Sequence, residues 1–218
     1  MKAKQTTRKI SLPLCLITAA LLSLLIVVPI GITHADEPEL DSAQSTIDFL
    51  QQSLLHVMRE GEQLDYSERV EFLTSVVNQT HDIDLIIKTI LGASLWHELD
   101  TMQQNLIIET FRKLSIATYA GRFKQYNDEQ FEFIEQRDLP RNQKLVRSRL
   151  NKGDGGAVNF DYVLHQPEEH WLIVNILFDG VSDLAIKRSE YRSILQREGF
   201  QSLIDMLNVK IAEAEHSE

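Results

Sequence analysis

The chain has 218 residues, of which 43% are apolar and 25% charged, with 9 Gly, 5 Pro and a formal net charge of −10. That composition fits one globular domain or two small ones, and it excludes a disordered acidic chain, a multi-span membrane protein and Pro- or Gly-rich low-complexity sequence. So acidic a balance also lacks the basic footprint of a nucleic-acid-binding protein.

Lys2, Lys4, Arg8 and Lys9 open the chain. An apolar run over residues 10–32 follows, broken only by Ser11, Thr18, Ser23 and scattered Pro and Gly, and it ends in Thr33-His34-Ala35 before Asp36-Glu37. A basic start, an apolar stretch and a small residue ahead of polar sequence mark a signal peptide over residues 1–35, cleaved after Ala35. The run is also long enough to stay as an inner-membrane anchor; Pro29 and Gly31 near its end favour the signal peptide. The single Cys, Cys15, follows Leu12-Pro13-Leu14, where a lipoprotein signal requires a small residue. Cleavage leaves about 183 residues without cysteine and moves the net charge from −10 to −14, because all four early charges are basic. Disulfides, thiolate metal sites and Cys nucleophiles are then excluded, and core packing must hold the fold.

Residues 36–45 are polar and predict a flexible lead-in. Ile47, Leu50, Leu54, Val57 and Met58 fall at helical spacing over 45–59, and Gly61 stops that helix. A second helix is predicted from Ser67 as its cap, through Val70, Leu73, Val76 and Val77. A third carries Ile83, Ile86, Ile87, Ile90 and Leu91, with Asp82 as its cap, and ends near Gly92. A long helix starts at Asp100 or Thr101 and reaches about residue 125. The period then changes. Phe131-Glu132-Phe133-Ile134 reads as a strand, as does the alternation over 144–150, with Leu145, Arg147 and Arg149 on one side and Val146, Ser148 and Leu150 on the other. Gly153-Asp154-Gly155-Gly156 is a turn, 158–164 alternates again, Gln166-Pro167-Glu168-Glu169 turns, and 171–178 is an almost unbroken apolar strand. Ser182 or Asp183 caps a last pair of helices over 184–197 and 200–211, split by Gly199, and 213–218 is a polar tail. Helices, a meander of about four antiparallel strands, then helices is an α+β pattern.

Two segments carry more apolar surface than one buried face requires. The long helix presents Leu106, Ile107, Ile108, Phe111, Leu114, Ile116, Tyr119 and Phe123 around more than half of its circumference. The 171–178 strand is apolar on both faces. Both are explained by burial between layers, and equally by the wall of a cavity for an apolar ligand; periodicity does not separate the two. Chemistry, by contrast, is sparse. His165 and His170 flank a turn and are too few for a metal site, which places them on a hairpin surface. His81-Asp82-Ile83-Asp84 sits at a helix start. Gly180-Val181-Ser182-Asp183 lacks the second glycine of a nucleophile elbow. No constellation supports an enzyme, a metal or a cofactor.

Two stretches are specific: Phe111 through Tyr126 followed by Phe131-Glu132-Phe133, and Trp171 through Asp179-Gly180-Val181-Ser182 with Arg188-Ser189-Glu190-Tyr191 and Gly199 after it. Together, over residues 46–212, they resemble the MlaC family, the toluene-tolerance phospholipid-binding proteins, which are periplasmic parts of a lipid-transport ABC system. The Ser182–Tyr191 run resembles the hopanoid-associated subgroup HpnM of the same superfamily. Asn175 stands where relatives commonly have Asp. The resemblance implies a twisted antiparallel sheet against helices around an apolar pocket. It implies a bound phospholipid or related acyl lipid, and transfer between outer-membrane and inner-membrane complexes similar to MlaA and MlaFEDB. Phe111, Tyr119 and Phe123 from the long helix, Phe160, Tyr162, Val174 and Ile176 from the sheet, and Leu184, Tyr191 and Ile194 after the Gly-Val-Ser box are the expected lipid contacts. A non-catalytic accessory role in hopanoid handling or membrane-lipid organisation is the alternative.

Overall fold

The structure is a computed structural model describing residues 40–216, Glu62 excepted. The signal peptide expected over 1–35, and the start of the lead-in after it, lie outside the described residues.

Four helices come first: α1 (Ala43–Arg59), α2 (Tyr66–Thr80), α3 (Ile83–Glu98) and α4 (Thr101–Arg122). Strands β1 (Gln130–Leu139), β2 (Gln143–Asn151), β3 (Ala157–His165), β4 (Leu172–Phe178) and β5 (Val181–Ser182) follow, then α5 (Asp183–Glu198) and α6 (Phe200–His216). The strands form one antiparallel sheet in the order β1-β2-β3-β4-β5. The architecture is α+β, as the change of period predicts. The sheet has five strands rather than about four, because two residues after the Asp179-Gly180 turn pair back onto β4.

Capping side chains fix the helix starts. Ser42 accepts the Ser45 amide, Asp65 the Glu68 amide and Asp100 the Gln103 amide, and each is answered by a reciprocal bond from the third residue of its helix. Asp65, not Ser67, therefore begins α2. Leu40 is buried and α1 begins at Ala43, within the stretch 36–45 where a flexible lead-in is expected. At the other end α6 continues through 213–216, where a polar tail is expected. Gly92 does not end α3. It takes φ 78° and ψ 160°, kinks the helix, and lets it resume so that Leu95 reaches the core.

Register places the sheet's side chains. On β2, Val146, Ser148 and Leu150 stand opposite Tyr162, Phe160 and Val158 of β3, and Tyr162 and Phe160 stand opposite Ile176 and Phe178 of β4. This face meets the helices: α1 lies over it, and Gln51 Nε2 donates to Ser148 Oγ at 2.6 Å. The other face is mixed: Leu145, Val163 and Leu177 share it with charged residues. Arg147 spans Asp161 with two bonds, at 2.6 and 2.8 Å, and reaches Glu135 at 3.0 Å. Two bulges interrupt the register, one leaving Ile134 unpaired on β1 and one leaving Val174 unpaired on β4. The apolar faces of the sheet and of α1 to α6 share one core, from Ile47, Leu50 and Leu54 through Ile87 and Ile107 to Leu164, Ile173 and Leu203.

The Gly92 geometry lies in a region open essentially only to glycine, although a Cβ there would meet nothing closer than the Arg192 guanidinium at 3.9 Å. Gly92→Ala therefore costs about 2 kcal/mol through backbone strain alone. Urea unfolding measures it, and a variant as stable as the parent contradicts the assignment.

Candidate functional site

The expected contact residues come from three elements. From α4, Phe111 is buried, and Tyr119 and Phe123 are half-buried with ring centroids 6.0 Å apart. From the sheet, Phe160 stacks on Tyr162 at 5.9 Å and meets Phe178 edge-on at 5.1 Å and Phe131 at 5.8 Å. Ile176 stands beside Tyr162 on the same face. From α5, Tyr191 is the only buried residue, and it meets Phe111 edge-on at 6.3 Å; Leu184 and Ile194 are half-buried. All of these belong to the core or pack against it. Val174 does not: it is buried, but it occupies the β4 bulge and stands apart from that cluster. Strict alternation pairs Val174 with Ile176, and the extra residue breaks the count. Tyr162 and Tyr191 are 1% exposed and Phe111 3%, so they lie deepest, while Tyr119, Phe123, Ile176, Leu184 and Ile194 are half-buried.

Polar groups inside this core are few and fully bonded. Thr80 Oγ1 donates its proton to the Val76 carbonyl at 2.7 Å. It must then accept from His81 Nδ1, 2.8 Å away. That tautomer leaves His81 Nε2 to accept from the Tyr119 hydroxyl at 3.0 Å. Burial holds the His81 pKa down to about 4, the backbone bond to Val77 opposing it weakly. Burial likewise pushes the Tyr119 phenol well above its ordinary range. Tyr162 and Tyr191 are raised for the same reason, bonds from Gln51 and Ser148 offsetting part of the effect at Tyr162. His81 and the three phenols are therefore all held in their neutral forms by burial.

Sequence reasoning missed two parts of this arrangement. Gln51 is a polar residue on the apolar stripe of α1, and its partner Ser148 falls on the same strand face as Val146 and Leu150; together those positions were the available signal. His165, expected on a hairpin surface, is instead half-buried, with Nε2 2.8 Å from Asp82 Oδ2. Its partner lies 83 positions away, out of reach of any local pattern. Asp82 does cap α3, accepting the Leu85 amide at 2.8 Å, and its own amide donates to the Ile173 carbonyl at 3.0 Å.

Among the described residues no group of three or more His, Cys, Asp or Glu is placed to hold a metal ion, and no helix is long and apolar enough to cross a membrane. A groove of about 440 Å³ lies on the outer face of α5, and none of the ten expected contact residues lines it.

Residues 49–209 match the family model described as MlaC protein. The fold is similar to the solved phospholipid-binding protein from Ralstonia solanacearum in complex with a phospholipid, at 19% identity and a TM-score of 0.69, covering 79% of this chain and 98% of that one. No curated protein matches the chain.

Because the His81 pKa is lowered on folding from an ordinary 6.5 to about 4, the unfolded chain binds the proton first as pH falls. Stability is therefore intact above pH 6.5 and is lost as pH falls toward 4. Between pH 7 and 4.5 this one group removes about 2–3 kcal/mol. Denaturant unfolding of the parent and of His81→Gln tests this: the parent should lose that much more than the variant, and equal losses contradict the burial of a neutral histidine.

Proposed function

We propose, since this chain belongs to the MlaC family, that it is a periplasmic carrier of phospholipid. The acyl chains would lie between the helix-facing side of the sheet and helices α4 and α5. The carrier would pass its lipid between outer-membrane and inner-membrane complexes similar to MlaA and MlaFEDB. The observation that carries this reading is the contact of Phe111 on α4 with Tyr191, the one buried residue of α5, in a core that also takes in the ring cluster Phe160, Tyr162 and Phe178 of the sheet. The phospholipid in the Ralstonia solanacearum structure of the same fold supports it.

The physical need is large. A diacyl lipid has about 30 methylenes, and exposing them at about 0.8 kcal/mol each costs on the order of 24 kcal/mol, so desorption into water is very slow. A protein interior removes that barrier only if it replaces one apolar surface by another. Here the candidate side chains pack on one another, so loading consists of parting Phe111 from Tyr191, and Leu184 and Ile194 from the core, while the acyl chain takes over their contacts. Water need not enter at any stage. Parting packed apolar surfaces is costly alone but nearly balanced when lipid refills the gap. The half-buried residues Ile176, Leu184 and Phe123 mark where tails would enter.

Mass spectrometry of an organic extract of the protein purified from the periplasm should show phospholipid. Ile176→Arg and Leu184→Arg, each placing a cation at a half-buried position, should lower the lipid load about tenfold, the effect of ~1.4 kcal/mol, with circular dichroism unchanged. A parent free of lipid, or both variants loaded like the parent, contradicts the proposal.

A further inference from the structure

The outer face of α5 is unlike the rest of the molecule. Arg188, Ser189, Arg192, Ser193, Gln196 and Arg197 line a groove of about 440 Å³ that contains no carboxylate. The positions recur at helical spacing, so the groove runs along the side of the helix opposite Tyr191. Its other charged neighbours are already paired: Lys187 with Asp183, Glu190 with Lys210 at 3.0 Å, and Lys88 of α3 with Asp84. Glu198 follows Arg197 at the far end. Arg188 has a structural duty as well. Its guanidinium donates to the Thr89 carbonyl at 3.1 Å, where the Gly92 kink leaves the first part of α3 with open carbonyl groups. Arg192 lies across from Gly92 itself and, like Arg197, makes no ion pair among the described residues.

We infer that this groove is a docking site for an acidic segment of a partner protein. Three guanidinium groups without a lining carboxylate form a local positive field on a chain whose net charge is −10. Planar forks of this kind bind carboxylates in pairs of bonds. The guanidinium groups recur along one side of a single helix, a linear spacing that suits an extended chain bearing Asp and Glu side chains. The net negative charge of the protein disfavours non-specific association with such a chain, so the groove sets the position of docking. The inference is independent of the lipid reading: none of the ten expected lipid contacts lines the groove, and either proposal survives failure of the other.

The test is fluorescence anisotropy of a fluorescein-labelled oligoglutamate peptide titrated with the full chain, its oligoglutamine counterpart serving as control. The parent should bind the acidic peptide at low salt and release it as salt rises. Arg192→Glu/Arg197→Glu should weaken binding at least about tenfold, and Arg192→Gln/Arg197→Gln by less, with unfolding midpoints unchanged. Arg188 is left in place because it holds Thr89. Amide shifts on peptide addition should centre on residues 188–197. Equal binding by parent and double variants, equal binding of the neutral peptide, or binding to phosphatidylcholine–phosphatidylglycerol vesicles in preference to the peptide overturns the inference.

Discussion

The junction Thr80-His81-Asp82 is the constraint on which the rest of the fold depends. In three residues it ends α2, starts α3 and fastens both to the sheet. His81 joins Thr80 to Tyr119 of α4, the Asp82 amide joins the Ile173 carbonyl of β4, and the Asp82 carboxylate holds both the Leu85 amide and His165 of β3. The two His81 bonds need a neutral ring in one tautomer, because the only hydroxyl proton of Thr80 is already committed to Val76. Buried polar groups are costly unless every one is satisfied, and a fully satisfied set holds one arrangement rigidly. Layers that apolar packing alone would let slide are pinned here.

That rigidity is not shared by the whole interior. Tyr119 and Phe123 follow the pinned side, whereas the opposite wall is α5, a helix with a single buried residue, Tyr191, held also by the half-buried Leu184, Ile194 and Leu195 and by polar bonds such as Arg188 to Thr89 and Ser182 to Asn175. Segments with few buried apolar contacts are those that open at least cost. On the proposed function, lipid would enter by parting α5 from the core while the Thr80–Asp82 junction keeps the rest of the fold in place. The charges follow the same division. The aromatic part of the core holds no charged group, the bidentate Arg147–Asp161 pair lies on the far face of the sheet, and Arg192 and Arg197 lie on the outside of α5.

Much of this was legible in the sequence, for reasons that differ from element to element. Alternation over 158–164 placed Phe160 and Tyr162 on one face because a regular strand has a period of two, and Ile176 joins them across the register. The same rule failed at Val174, where a bulge inserts a residue without any Gly or Pro to announce it. Gly92 reads as a helix stop because glycine usually is one, yet the apolar spacing resumes at Leu95 and tertiary burial carries the helix on. Asp82 was readable as a cap from its local position. His165 was not, since its partner is supplied only when β3 is laid beside the start of α3. The Gln51–Ser148 bond lies between these cases: each residue sits in a visible apolar pattern, but only the fold makes them a pair.

The central claim is that acyl chains lie between the sheet and α5, against the aromatic residues of the deep core. Intermolecular nuclear Overhauser effects measure this most directly, using protein deuterated except at Phe and Tyr rings and loaded with protonated phospholipid. The account predicts transfer from acyl methylenes to the rings of Phe111, Phe160, Tyr162 and Tyr191. Transfer confined to exposed positions such as Phe72 or Phe133, with the deep rings silent, would contradict it.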